Sequence, residues 1–115
     1  MSRHDARVSM AQMRDHAREA MAMATDRGRD DLDDDRVLEL VLTRLVEIVG
    51  EAATRVPDEI RAAHPDVPWR SIIGMRNRLI HGYDSVDLDV MWQIVAEDLP
   101  RLAETLDTIL ADMGG

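Results

Sequence analysis

Within "MRNRLIHGYD", residues 75 to 84, stand two arginines, an asparagine, a histidine and the only tyrosine of a chain whose net charge is -9. Four residues separate Arg76 from His81, and Tyr83 follows one residue further on. An imidazole moves protons near neutral pH. A guanidinium stays charged at any working pH, and its planar fork matches phosphate oxygens. Together these types could move a proton beside a phosphate group and stabilise the charge on it. Spacing alone leaves a second reading open. Arg76 could be a buried arginine paired with a core acid such as Glu51, with His81 capping a helix C-terminus at the negative end of its dipole.

The charge of the whole chain opposes non-specific binding to nucleic acid, since a negative surface gains nothing from counterion release. Its distribution is uneven. Between Arg61 and Tyr83 four arginines (Arg61, Arg70, Arg76, Arg78) face one acid, Asp66, whereas acids gather in "DDLDDD" at 30 to 35. The arginines could equally be a solvated face, and the aspartates are most simply a solvated turn. At 115 residues and 45% apolar, the chain predicts one domain, 1–115. There is no cysteine, so neither disulfides nor thiolate-metal sites are available. The charged N-terminus and the lack of a long apolar run predict a chain with no membrane span, in the cytoplasm.

Helices must position the motif. Met10, Met13, Ala17, Ala20, Met21 and Ala24 recur at steps of three and four, with Gly28 placed as a C-cap. The segment "RVLELVLTRLVEIVGEAATRV" carries Leu38, Leu42, Leu45, Val49, Ala52 and Val56 on a stripe widened by Val37, Val41 and Ile48. A stripe that wide predicts burial on two sides. Arg44, Glu47, Glu51 and Arg55 form its charged row, most simply solvated. A short helix in "PDEIRAAH" and a proline break precede a fourth helix, "WRSIIGMRNRLIH", predicted to end near His81 against Gly82. The fifth runs from Leu88 to Met113, with a kink expected at Pro100. No period-two alternation occurs, and an all-α bundle of four to five helices follows.

On a continuous fourth helix, at roughly 100° per residue, Arg76 falls inside the apolar arc of Ile72, Ile73, Met75, Leu79 and Ile80. Asn77 and His81 fall on the other face. An arginine in that arc is costly unless it meets a carboxylate, a phosphate or a wet interface. Unwinding at Gly82 would let Arg76 and His81 approach, and a second copy of the helix could supply one to the other.

Other residues point to structure. His4, His16 and His64 lack zinc-ligand spacing, and no metal site or cofactor is expected. "DLD" at 31–33 and 87–89 resembles a nucleotidyltransferase metal pair, but neither copy follows a strand or a Gly-Ser loop, and helix capping is the simpler role. The methionines of the first helix, Trp69 and Trp92 read as core, with base stacking by one tryptophan the alternative.

"RNRLIHGY", with "GEA", "PW", the asparagine after Arg76 and "GYDSVD", resembles the HEPN superfamily, in particular its HepT-like toxin family. The similarity runs from the second helix to the fifth. It implies a dimeric, antiparallel helical bundle with two Arg/His motifs in one cleft, and metal-independent endoribonuclease activity. Arg76 and His81 would be catalytic, with Asn77 and Arg78 supporting. It further implies a neighbouring MntA-type nucleotidyltransferase antitoxin that silences the toxin by transferring AMP to Tyr83. The expected assembly is a homodimer, with a larger hetero-oligomer when the antitoxin joins. The alternative is a non-catalytic HEPN module that binds nucleotides or a partner and serves mainly as the nucleotidyltransferase's substrate. Cleavage of RNA by the partner-free protein separates the two.

Overall fold

The computed structural model describes the backbone of residues 3–81 and 85–114, and the side chains of 5–80 and 85–114. Three long helices carry the bundle: α1 (Arg3–Ala24), α3 (Arg36–Thr54) and α8 (Leu99–Asp112), with α1 packed against both of the others. Short elements fill the rest: α2 (Asp31–Asp34), α4 (Asp58–Ala63), α5 (Trp69–Ile73), α6 (Met75–Leu79), strands β1 (Ile80–His81) and β2 (Ser85–Val86), and α7 (Leu88–Gln93). A π-helical turn, Ile94–Asp98, joins α7 to α8. The all-α bundle expected from periodicity is the observed architecture.

One contiguous core holds Met10, Met13, Ala17 and Ala20 of α1, Leu42, Val46 and Val49 of α3, and Leu99 and Leu106 of α8, each essentially inaccessible. Met10 and Met13 of α1 are core residues, as their spacing indicated, while Met21 is half-buried and Met23 exposed. Trp69 is nearly buried, and its indole N–H donates to the carbonyls of Arg61 (3.1 Å) and His64 (3.0 Å). That pair of bonds fixes the start of α5.

Capping accounts for the second aspartate pair, through Asp87, whereas in the first Asp31 accepts from the Gly28 N–H and Asp33 pairs with Arg29. The Asp35 carboxylate accepts from the Leu38 N–H at 3.0 Å and starts α3. This bond holds its carboxyl below the usual carboxylate range, against a smaller desolvation effect and with help from Arg27. Asp87 accepts from the Asp89 and Val90 N–H groups, 3.1 Å each, and starts α7. Arg29 ties the acidic turn to α7 through Asp89, at 2.6 Å, while also reaching Asp33 at 3.1 Å.

Three local expectations are corrected. Gly28 does not cap α1: the helix ends at Ala24, Asp26 takes the left-handed conformation (φ 62°), and the Gly28 N–H donates to Asp31 at 2.7 Å. Burial on both sides of α3 is incomplete at its start, where Val37 is 68% and Leu40 51% exposed. The fourth helix is two pieces that meet at Gly74, and it gives way at Ile80 to an antiparallel pairing of Ile80 with Val86 and His81 with Ser85. At Pro100 the ring crowds the carbonyl four residues back and offers no N–H. The wider π-helical turn just before it takes up that mismatch.

Candidate functional site

Helix α6 is only five residues long, yet it carries Arg76, Asn77 and Arg78, all exposed. It lies between α3 on one side and α7 on the other. Met75 and Leu79 are buried and anchor it, so the three polar residues between them project outward. Arg76 Nε donates to Glu47 Oε2 of α3 at 3.2 Å, with the arginine side chain 61% exposed and the glutamate 22%. Arg78 reaches the other way, its Nη2 lying 3.3 Å from Asp98 Oδ2 at the end of the π-helical turn. The two arginines therefore point to opposite sides of one helix, each held by a single carboxylate.

This corrects the placement of Arg76 in a buried arc. The helical wheel assumed an unbroken helix through Gly74. The fully buried residues are Ile72, Met75 and Leu79, while Ile73 and Ile80, which had drawn the arc toward Arg76, are only half-buried, so Arg76 lies at the arc's edge and turns to solvent. Its partner is Glu47 and not Glu51, which pairs instead with Arg44 at 3.3 Å. Glu47 thus leaves the solvated row to which its spacing assigned it. An exposed arginine in one ion pair is free to exchange that carboxylate for a phosphate at little cost.

The helix stops at Leu79, and His81 sits in β1, off the wheel of Arg76. The His81 side chain and all of Tyr83 lie outside the described residues. Around them, the Asp87 N–H donates to the Leu79 carbonyl at 2.7 Å, closing the paired strands on α7. Of the residues singled out from sequence, Arg76, Asn77 and Arg78 are therefore together on one exposed helix. His64 lies away from them at the C-cap of α4, and the ring of His16 in α1 hydrogen-bonds the Gln12 carbonyl at 2.7 Å.

Two features had no sequence signal. Glu47 and Asp98 hold the two motif arginines from positions 29 and 20 residues away. A cleft of about 330 Å³ also opens beside Arg78, with Ile72, Met75 and Leu102 in its wall and Arg101 at its edge.

Residues 13–109 match the family model described as "Ribonuclease HepT-like". A protein described as a "Probable ribonuclease HepT", from Thermococcus cleftensis, is 41% identical over 68 residues, 59% of this chain and 62% of that protein. A second relative, from Caldanaerobacter subterraneus subsp. tengcongensis and designated "Putative RNase", is 38% identical over 81 residues, 70% of this chain and 72% of its own length. A third, from Methanocaldococcus jannaschii and bearing the same designation, is 28% identical over 109 residues, 95% of this chain and 100% of its own. No solved structure matches. With a helical bundle in place and a match that takes in α3 whole, most of α8, half of α1 and the exposed arginines of α6, the chain belongs to the HepT-like ribonuclease family.

Proposed function

We propose that this protein is an endoribonuclease, the toxin of a type VII toxin-antitoxin pair, which cuts RNA without a metal ion through Arg76 and His81. The observation that carries the reading is the exposed Arg76 on α6, five positions before His81 in a chain of the HepT-like ribonuclease family. His81 moves protons between the 2′-hydroxyl, the leaving 5′-oxygen and water. Arg76 exchanges Glu47 for the scissile phosphate and stabilises the charge that builds there. Asn77, next along the same helix, and Arg78 support the bound strand. The opening concentration of cations thus marks where phosphates bind, and the acidic remainder limits binding elsewhere.

The protein acts in the cytoplasm as a homodimer with the two α6 helices near the two-fold axis, bringing two motifs into one cleft. The exposed Val37 and Leu40 at the start of α3 support an association that covers apolar surface. A cognate nucleotidyltransferase of the MntA type silences the enzyme by transferring AMP to the Tyr83 hydroxyl, with pyrophosphate leaving from ATP. The added phosphodiester charge competes for the arginines and repels RNA.

The test is cleavage of RNA in EDTA by protein purified free of its partner. The parent should cut, and His81→Ala and Arg76→Ala should not. Full activity in either variant removes the assignment. A parent that cuts nothing while still accepting AMP on Tyr83 would make it a non-catalytic substrate of the nucleotidyltransferase.

A further inference from the structure

The cleft beside Arg78 lies on the side of α6 away from Arg76. Its apolar part is the exposed Pro68 with the edges of Ile72, Met75 and Leu102, each at most 3% accessible, and the rest of its lining is polar. Its volume, about 330 Å³, is at the lower end of the range for small-ligand sites. Its mouth carries a charge pair left apart: among the described residues the Arg101 guanidinium and the Asp66 carboxylate have no partner, and no ion pair joins them although both line this cleft and the neighbouring one. The hydroxyls of Ser71 and Thr105 complete the rim. Arg78 is occupied by Asp98, which the π-helical turn presents from the far side. An apolar patch flanked by one free cation and one free acceptor matches a nucleotide, whose base is flat, whose phosphate is anionic and whose base edge can donate.

We propose that this cleft holds one nucleotide of the RNA flanking the cleaved bond, its phosphate on Arg101 and a base bearing an exocyclic amino group donating to Asp66. The base preference follows from charge. A carboxylate accepts from the amino group of cytosine, adenine or guanine, whereas uracil offers only its ring N3–H, set between two carbonyl oxygens that a carboxylate repels. A strand laid across α6 would span about 10–12 Å, one helix diameter, between Arg76 and the cleft. For its substrate class this inference rests on the ribonuclease reading, but its binding step can be measured alone.

Backbone-amide NMR of the full chain, titrated with the 5′-monophosphates of cytidine, adenosine, guanosine and uridine and with inorganic phosphate, tests it. The three amino-bearing nucleotides should shift the amides of Ser71, Arg101 and Thr105, with the uridine nucleotide at least about tenfold weaker, the scale of one charge-assisted hydrogen bond. Asp66→Ala should erase the difference between cytidine and uridine nucleotides, and Arg101→Ala should weaken all four. Both positions are exposed, so neither change threatens the core. Equal binding of the uridine nucleotide, equal shifts with phosphate alone, or no shift at these amides overturns the proposal. Nucleotide binding here in a protein that cuts no RNA would remove the ribonuclease reading and keep the cleft; cleavage by a protein whose cleft binds none of the probes would do the reverse.

Discussion

Replacing Gly50 with alanine sets two effects of opposite sign against each other. Gly50 is buried inside α3, where alanine favours the helix by about 1 kcal/mol. The added Cβ, however, would sit 3.2 Å from the Ile72 carbonyl oxygen and 3.8 Å from that of Ile73. Those are backbone atoms of α5, which is held by the two hydrogen bonds of the Trp69 indole and by the burial of Ile72. They cannot swing aside as a side-chain tip would. Overpacking of this kind costs about 1–3 kcal/mol, so Gly50→Ala should be destabilised by about 1 kcal/mol net. For a domain near this size that lowers the melting temperature by about 4–8 °C. Gly28→Ala is the control. Its Cβ would meet nothing within 4 Å, Gly28 is not among the positive-φ residues, and it should be neutral or slightly stabilised. Thermal and urea unfolding of the three proteins measure this. A Gly50→Ala protein more stable than the parent would refute the close approach of α3 to α5.

Arg76→Ala should lose RNA cleavage yet cost less than about 1 kcal/mol in urea unfolding, because its pair with Glu47 is largely exposed; a loss of several kcal/mol would restore the buried-arginine reading. Asp35 has a folded-state pKa below its unfolded value near 3.9, so its stabilising effect is complete above that pH and fades as pH falls through the folded value. Asp35→Asn keeps a capping oxygen but not the charge, and its stability deficit should shrink below about pH 4; a deficit constant from pH 7 to 2 would contradict the shift. Tyr83→Phe should keep the nuclease and remain toxic beside an active nucleotidyltransferase, and neutralisation as complete as the parent's would defeat that proposal. Light scattering at micromolar concentration should give a dimer, against a monomer.

The long helices were legible because their apolar residues repeat every three or four positions and are buried where that repeat places them, as at Met10, Met13, Leu42 and Leu106. The run around Arg76 was not. Its wheel counted Ile73 and Ile80 as core, and both are only half-buried, so the arc was drawn too wide and took in Arg76. The pairing of Ile80 with Val86 is two residues long, too short for any alternation to register. The partners of the motif arginines were hidden for a different reason. Glu47 and Asp98 are ordinary acids on their own helices, and only tertiary packing brings them to α6. "GEA" was recognisable as part of a family pattern, while the physical need for its glycine, a carbonyl at 3.2 Å, belongs to the fold. The motif spacing was legible throughout, and it remains the ground on which catalysis is proposed.

The central claim is that RNA supplies its own nucleophile while Arg76 and His81 handle charge and protons. It is tested most directly by the chemistry of the cut ends, read by mass spectrometry on an oligoribonucleotide and on the same oligonucleotide with a single 2′-deoxy substitution at the mapped cleavage site. The account predicts a 2′,3′-cyclic phosphate on the 5′ fragment of the first, formed in the presence of EDTA, and no cut at that position in the second. Cleavage at the 2′-deoxy position at an undiminished rate, or fragments that end in a 3′-hydroxyl, would contradict it.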